Sequence, residues 1–278
     1  MKKVIDISEH NGEIDFAKVK SSGISDVIIR IGWIGNKENH TIDKMFQYNF
    51  MQARRYGFNI GIYVYSYCKS IEAIKSGCCW IMKLIEGKNL ELPIFLDLED
   101  ETIYNTGNLT EQAIEFCRYF EIEQFQAGVY ASKYWFNTVI NPYILENYKI
   151  WLAEWYVEKT TVSFKVDLWQ YTNKEKVFGI NLPEYGTDCS KCFCETEEKE
   201  NTIINNGDDE EVKTYKNGST IEPIYSDTNL SNQIGYLNKY EQCECLGIFQ
   251  NRAIVRYKID NKENYKIGFA KWLGGIQN

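Results

Sequence analysis

Apolar residues along this chain gather into short, nearly unbroken runs separated by stretches with helical spacing. The runs are KVIDIS (3–8), DVIIRIGW (26–33), NIGIYVYSY (59–67), LPIFLDLED (92–100), QAGVYAS (126–132), KIWLAEW (149–155) and VDLWQYT (166–172). A weaker eighth is YGTDCSKCF (185–193). Runs of this length without strict alternation mark strands buried on both faces. Between them, 43–57, 70–87, 109–122 and 132–147 read as helices, with Thr110 as the expected cap of the third. Strand–helix alternation predicts a parallel α/β fold, and eight such strands predict an irregular TIM-like (β/α) barrel. The irregularity should fall among the last three strands, whose connections are too short for full helices. A doubly wound open sheet is the alternative architecture.

The pattern changes near residue 194. CETEEKENTIINNGDDEEV (194–212) is acidic, rich in Asn and without an apolar period. It predicts an acidic linker over 195–211, between a first domain at 1–194 and a second at 212–278. The second domain holds short β-like pieces: TIEPIYS (220–226), QIGYLNKYEQCECLGIF (233–249), RAIVRYKI (252–259) and YKIGFAKWL (265–273). Turn residues separate them, and the expectation is a small all-β barrel.

Charge and composition narrow the function. The net charge of −8 argues against nucleic acid as a partner. Residues 209–278 carry nine acids and nine bases, so the whole excess lies before residue 209. No run approaches the roughly 20 apolar residues of a membrane-spanning helix, so no membrane insertion is expected. In MKKVIDISEH, Asp6 interrupts the apolar stretch too early for a signal peptide, and the expected location is a cytoplasm. Nine cysteines leave at least one unpaired. Cys68, Cys78, Cys79 and Cys117 read as small buried hydrophobes. Cys189, Cys192 and Cys194 form C-x-x-C-x-C, and Cys243 with Cys245 a C-x-C, but neither matches a standard zinc spacing.

The fourth run ends in acid. In a strand, positions two apart face the same way, so Asp97 and Glu99 point together, opposite Leu96 and Leu98. Two close carboxylates repel, and at least one pKa should rise. Asp6 ends the first strand and Asp188 the last, so a closed barrel would gather four acids at one mouth, where parallel barrels place their chemistry. Glycoside hydrolysis needs one protonated and one ionised carboxyl group, and this set could supply both. A hard-cation site is the alternative use of such acids. With 20 Tyr and 7 Trp, aromatics are abundant. Tyr63, Tyr65, Trp151, Trp169 and Tyr171 fall at strand ends, and about half are expected to line a cleft, the rest to pack the core. His10 lies in the loop beyond Asp6.

Taken in order, DISEHNGEIDF (6–16), IRIGW (29–33), GIYVYSY (61–67), LPIFLDLED (92–100), IWLAEW (150–155) and LWQYT (168–172) resemble glycoside hydrolase family 25. These are the Chalaropsis-type lysozymes, common among phage endolysins and bacterial autolysins. The resemblance covers residues 3 to about 193. It implies cleavage of the β-1,4 bond between N-acetylmuramic acid and N-acetylglucosamine in bacterial peptidoglycan, without metal or cofactor. Glu99 matches the family's general acid. Asp97 matches the carboxylate that stabilises the charged intermediate, by assisting the substrate's acetamido group. Asp6 and Asp188 match the two remaining site acids. Tyr63, Tyr65 and Trp151 match positions near the sugar, and Trp169, Tyr171 and Arg30 complete the expected substrate-binding set. Two positions depart from the family pattern: Val64 stands where a His is common, and Ser190 where the last strand usually has Asn.

The C-terminal segment resembles bacterial SH3-like wall-binding domains, with KIGFAKWL (266–273) as the closing strand. The lack of a signal peptide fits an endolysin held in the host cytoplasm until a holin opens the membrane; an autolysin exported by another route is the alternative. A wall-binding protein with an inactive barrel, and a glycosidase of another amino-sugar polymer such as chitin, are the rival functions. The oligomeric state is left open.

Overall fold

The computed structural model describes residues 2–37, 39–181, 186–193, 214–225, 230, 233–249, 252–258, 265–271 and 276–277. The chain divides into two compact units, Met1–Thr196 and Glu197–Asn278. The expected linker, 195–211, and Cys194 lie outside the described residues.

In the first unit the strands are β1 (Lys2–Ile7), β2 (Asp26–Ile34), β3 (Thr41–Ile42), β4 (Asn59–Ser66), β5 (Ile94–Asp97), β6 (Ala127–Ser132), β7 (Lys149–Ala153), β8 (Leu168–Glu175) and β9 (Thr187–Cys192). The helices are α1 (Phe16–Ser21), α2 (Phe46–Arg55), α3 (Ile71–Ile85), α4 (Leu109–Ile122) and α5 (Lys133–Thr138). Neighbouring strands run β1-β9-β8-β7-β6-β5-β4-β2, and β1 pairs back onto β2. Eight strands therefore close into a barrel, with β3 as a short flap on β2. Closure rules out the open doubly wound sheet.

The barrel is parallel except at β9, which runs antiparallel to both β8 and β1. A parallel return needs a crossover of a dozen or more residues, and the 11-residue connection 176–186 is too short for one. The fold is thus a mixed, strand-rich α/β barrel rather than a regular (β/α)8 barrel.

Both strand faces are covered, which explains the near-continuous apolar runs. Ile5, Val27, Ile29, Ile62, Leu96, Val129 and Leu152 are fully buried on the outer face. Val4, Ile28, Phe95, Tyr130, Trp151 and Leu168 fill the interior. Ser70 caps α3, its side chain accepting from the Ala73 N–H, and Ser132 caps α5 through the Trp135 N–H. Thr110 does not cap α4. The cap is Asn108, and the Thr110 hydroxyl oxygen accepts from the Asn141 N–H at 2.9 Å. The helix expected over 132–147 stops at Thr138. Val139 and Ile140 are β-branched, and Pro142 biases Asn141 away from helical geometry.

Gly128 on β6 is a close-approach point. A Cβ there would lie 2.2 Å from the Lys149 carbonyl oxygen and 2.7 Å from the Phe95 ring. Since the nearest obstacle is backbone, Gly128→Ala is expected to destabilise the barrel by about 2 kcal/mol or more. A urea-unfolding midpoint unchanged by the substitution would contradict this packing.

The second unit has only strands among its described elements: β10 (Thr214–Lys216), β11 (Glu222–Tyr225), β12 (Gln233–Leu237), β13 (Gln242–Phe249), β14 (Arg252–Lys258), β15 (Tyr265–Ala270) and β16 (Ile276–Gln277). They form one antiparallel sheet in the order β12-β11-β15-β14-β13-β10-β16. Tyr215, Ile224, Leu237, Cys245, Val255 and Tyr257 make its core. Buried Asn217 ties a corner, its amide donating to the carbonyls of Thr220, Leu237 and Asn238.

Candidate active site

Register fixes which side chains enter the barrel mouth. Asp6 on β1 is level with Asp188 on β9, and Asp97, the last residue of β5, is level with Tyr65 on β4 and Tyr130 on β6. Asp6 and Asp97 are buried, Asp188 is half-buried, and Glu99 lies just beyond β5 with a face exposed to solvent. Leu96 and Leu98 are fully buried on the opposite side. The two-residue alternation through LDLED therefore carries past the strand end.

Burial raises every one of these acids. The Asp97 carboxyl is held well above the usual range by desolvation, then by Glu99 and Asp6. Asp6 is raised by desolvation and Asp188, with the Gln170 hydrogen bond opposing. Asp188 is pushed up to about 6 by burial. Glu99 is pushed up to about 7 by the surrounding protein, then by Asp188 and Asp100, even though one face meets solvent. A carboxyl group poised near neutrality beside other acids is the pattern of a general acid. Asp97 Oδ1 is buried with no hydrogen-bond partner among the described residues, which leaves it available to a substrate or a proton.

The aromatic residues divide. Tyr65 donates its hydroxyl to Asp100 Oδ2 at 3.2 Å. Tyr63 packs edge-on to Trp151 at 6.1 Å, and burial followed by the Asp6 charge raises its phenol, so it stays a protonated donor. Trp151 is a floor rather than an exposed platform. It is 1% exposed, is packed by Phe95 and Tyr130, and its Nε1–H donates to Ser190 Oγ at 3.0 Å. Ser190, at the position where the family pattern has Asn, is thus an inward-facing acceptor. Val64, between the two tyrosines, is fully buried on the opposite parity, away from the acids.

Trp169 and Tyr171 are not brought into the site. On β8 the inward parity belongs to Leu168 and Gln170. Trp169 instead stacks on Phe193 and donates to the Glu154 carbonyl, and the Lys191 ammonium lies 4.8 Å from both the Trp169 and Tyr171 rings. The sequence expectation has the wrong parity here, because every residue of a doubly buried strand can be apolar.

Arg30 points inward beside Tyr63 but is already engaged. Its Nε donates to Asp43 Oδ2 at 2.7 Å and its Nη2 to Glu9 Oε1 at 3.0 Å. Because the Asp43 side chain is wholly buried, Arg30→Leu would strand its charge. The expected cost is about 3 kcal/mol, read as a lowered unfolding midpoint. A variant as stable as the parent would show that Arg30 is free to serve substrate alone.

Gln170 is not evident from the sequence. Its Nε2 donates to Asp6 Oδ2 at 3.2 Å, while its Oε1 accepts from Tyr130 Oη at 3.0 Å and Trp155 Nε1 at 3.2 Å. One amide thus orients an acid, a phenol and a half-exposed indole at the cleft rim. A single Gln within an apolar run carries no periodic signal. His10 is exposed, and its backbone N–H donates to Ser8 Oγ at 3.2 Å.

Among the described residues no group of three or more His, Cys, Asp or Glu is placed to hold a metal ion. Cys68, Cys78, Cys79, Cys117, Cys189 and Cys243 are free thiols, and Cys189 and Cys192 sit on opposite parities of β9.

No curated protein sequence matches the chain. Solved structures do. The modular autolysin LytC from Streptococcus pneumoniae, solved in complex with a synthetic peptidoglycan ligand, is 27% identical with a TM-score of 0.58, over 68% of this chain and 46% of its own. This chain therefore spans less than half of LytC. The CTP1L endolysin is 25% identical with a TM-score of 0.58, over 71% of this chain and 67% of its own. The Clostridium perfringens spore cortex lytic enzyme SleM shares the fold at 15% identity and a TM-score of 0.60, over 96% of this chain and 97% of its own. The model of glycosyl hydrolases family 25 matches residues 5–180, a span that runs from β1 to the approach of β9 and holds Asp6, Asp97 and Glu99, and the chain belongs to that family.

Proposed function

We propose that this chain is a peptidoglycan muramidase that cleaves the β-1,4 bond between N-acetylmuramic acid and N-acetylglucosamine. The observation that carries the reading is Glu99, raised to about 7 and exposed to solvent, two residues from the buried Asp97. Glu99 protonates the glycosidic oxygen as the bond breaks. Asp97 supports the positive charge that develops at the anomeric carbon, by orienting the substrate's acetamido group as the internal nucleophile. Asp188 and Asp100 add to the local field that keeps Glu99 protonated, and Gln170 fixes Asp6. Tyr63 and Tyr65 contact the sugar, over the Trp151 floor. No step calls for a metal or cofactor.

The second unit, in this reading, is an SH3-like wall-binding domain, and the protein is a phage endolysin that reaches the wall after holin action. A bacterial autolysin is the second reading, favoured by the likeness to LytC. Mass spectrometry of fragments released from purified peptidoglycan tests the chemistry. New reducing ends on muramic acid support it. Amidase or peptidase fragments overturn it, and wall binding without cleavage would favour an inactive barrel.

A further inference from the structure

Beside the acids, past the ends of β2 and β4, lies an open cleft of about 480 Å³ lined by Trp33, Gly35, Asn36, Asn39, Tyr67, Lys69 and Thr102. It is joined to the acid site. Tyr65, level with Asp97, packs on Tyr67 at 5.0 Å, and Tyr67 packs edge-on to Trp33 at 5.7 Å. Along the other wall, Asp100 accepts from the Tyr65 hydroxyl and from the Thr102 N–H at 2.9 Å. The cleft is built rather than incidental: Asn36 Oδ1 accepts from the Lys69 N–H at 2.9 Å, and Asn36 Nδ2 donates to the Tyr67 carbonyl at 3.4 Å.

Its chemistry is specific. Amides and a hydroxyl offer both donors and acceptors, Trp33 is half-buried and Tyr67 exposed, and among the described residues no aliphatic side chain lines the wall. An open polar groove with exposed ring faces suits a carbohydrate better than a compact apolar ligand. Lys69 adds an exposed cation. We infer that this cleft is a further sugar-binding subsite for the glycan strand, in which Tyr67 and Trp33 pack against a sugar and Lys69 meets a carboxylate carried by that sugar. The inference rests on the muramidase reading and deepens it. The carboxylate could belong to the lactyl group of a peptide-free muramic acid or to a stem peptide, and the test separates the two.

The test uses the full chain made inactive by Glu99→Gln, with Tyr67→Ala or Lys69→Gln added; both added positions are exposed. Binding is measured by calorimetry to three tetrasaccharides: N-acetylglucosamine alone, the peptide-free muramic acid copolymer, and the same copolymer bearing stem peptides. Tyr67→Ala is expected to weaken all three about tenfold. Lys69→Gln is expected to spare the uncharged tetramer and weaken the charged ones about fivefold. A loss already present without peptide assigns the lactyl carboxylate, and a loss only with peptide assigns the stem. Parent-like binding by both variants overturns the subsite while leaving the muramidase reading standing. Equal weakening of the uncharged tetramer by Lys69→Gln overturns the carboxylate contact. Failure of the parent to bind any of the three overturns subsite and muramidase reading together.

Discussion

Glu99→Gln is expected to lower kcat on peptidoglycan by about a thousandfold with little change in KM, because proton donation at the leaving oxygen is needed only in the transition state. The amide preserves the shape and the hydrogen-bonding capacity but cannot give up a proton to an alkoxide. The same assignment fixes a pH dependence. Glu99 acts while protonated, so activity should be held below its pKa of about 7 and fall about tenfold per pH unit above it. Asp97 must be ionised to support the charge at the anomeric carbon, and its raised pKa places the acid limb above the ordinary carboxylate range. The expected kcat/KM profile is therefore a bell whose alkaline limb lies near pH 7. An alkaline limb below about pH 5, or a Glu99→Gln variant retaining more than about a tenth of the parent rate, would remove Glu99 from the acid role.

The parts of this site that are legible in the sequence share one property: a polar residue at the end of an apolar run, where the pattern itself says which way the side chain points. Asp6, Asp97 and Glu99 satisfy it; Asp188, expected to end the last strand, instead stands second in the reversed β9, where register brings it level with Asp6. Trp169 and Tyr171 escape it because in LWQYT both parities are bulky, and only pairing with β7 and β9 decides that Leu168 and Gln170 face in. Gln170 is hidden for the converse reason, being polar yet buried in mid-run with three hydrogen-bond partners that come from β1, β6 and the loop after β7. Such a hub is a property of the closed barrel, not of any local stretch. Arg30 does face inward as its position suggests, but its engagement by Glu9 and Asp43 depends on two loops whose paths the local pattern does not encode. The reversed direction of β9 is foreshadowed only by short connections. Its physical cause, too little chain for a right-handed crossover, is a topological constraint.

Asp97→Asn is expected to separate stability from activity, with opposite signs. Its carboxyl is buried and level with two tyrosines, faces Glu99 and Asp6, and has one oxygen without a hydrogen-bond partner among the described residues. Holding it ionised opposes folding through both desolvation and like-charge repulsion. The sign follows from linkage. A carboxyl whose pKa is raised in the folded state favours folding fully only below its unfolded value near 4, and that contribution is lost as pH rises through the folded value. The parent should therefore melt at a lower temperature at about pH 8 than at about pH 5, and Asp97→Asn should flatten that slope. Each kcal/mol relieved at the higher pH is worth about 2–4 °C for a unit of this size. Activity should move the other way, with kcat down by about a hundredfold or more as charge stabilisation at the anomeric carbon is lost. This opposition is the signature of a residue retained for chemistry at the expense of the fold. A variant that loses both stability and activity would instead make Asp97 a structural acid, and the paired carboxylates at the end of β5 would then need another explanation.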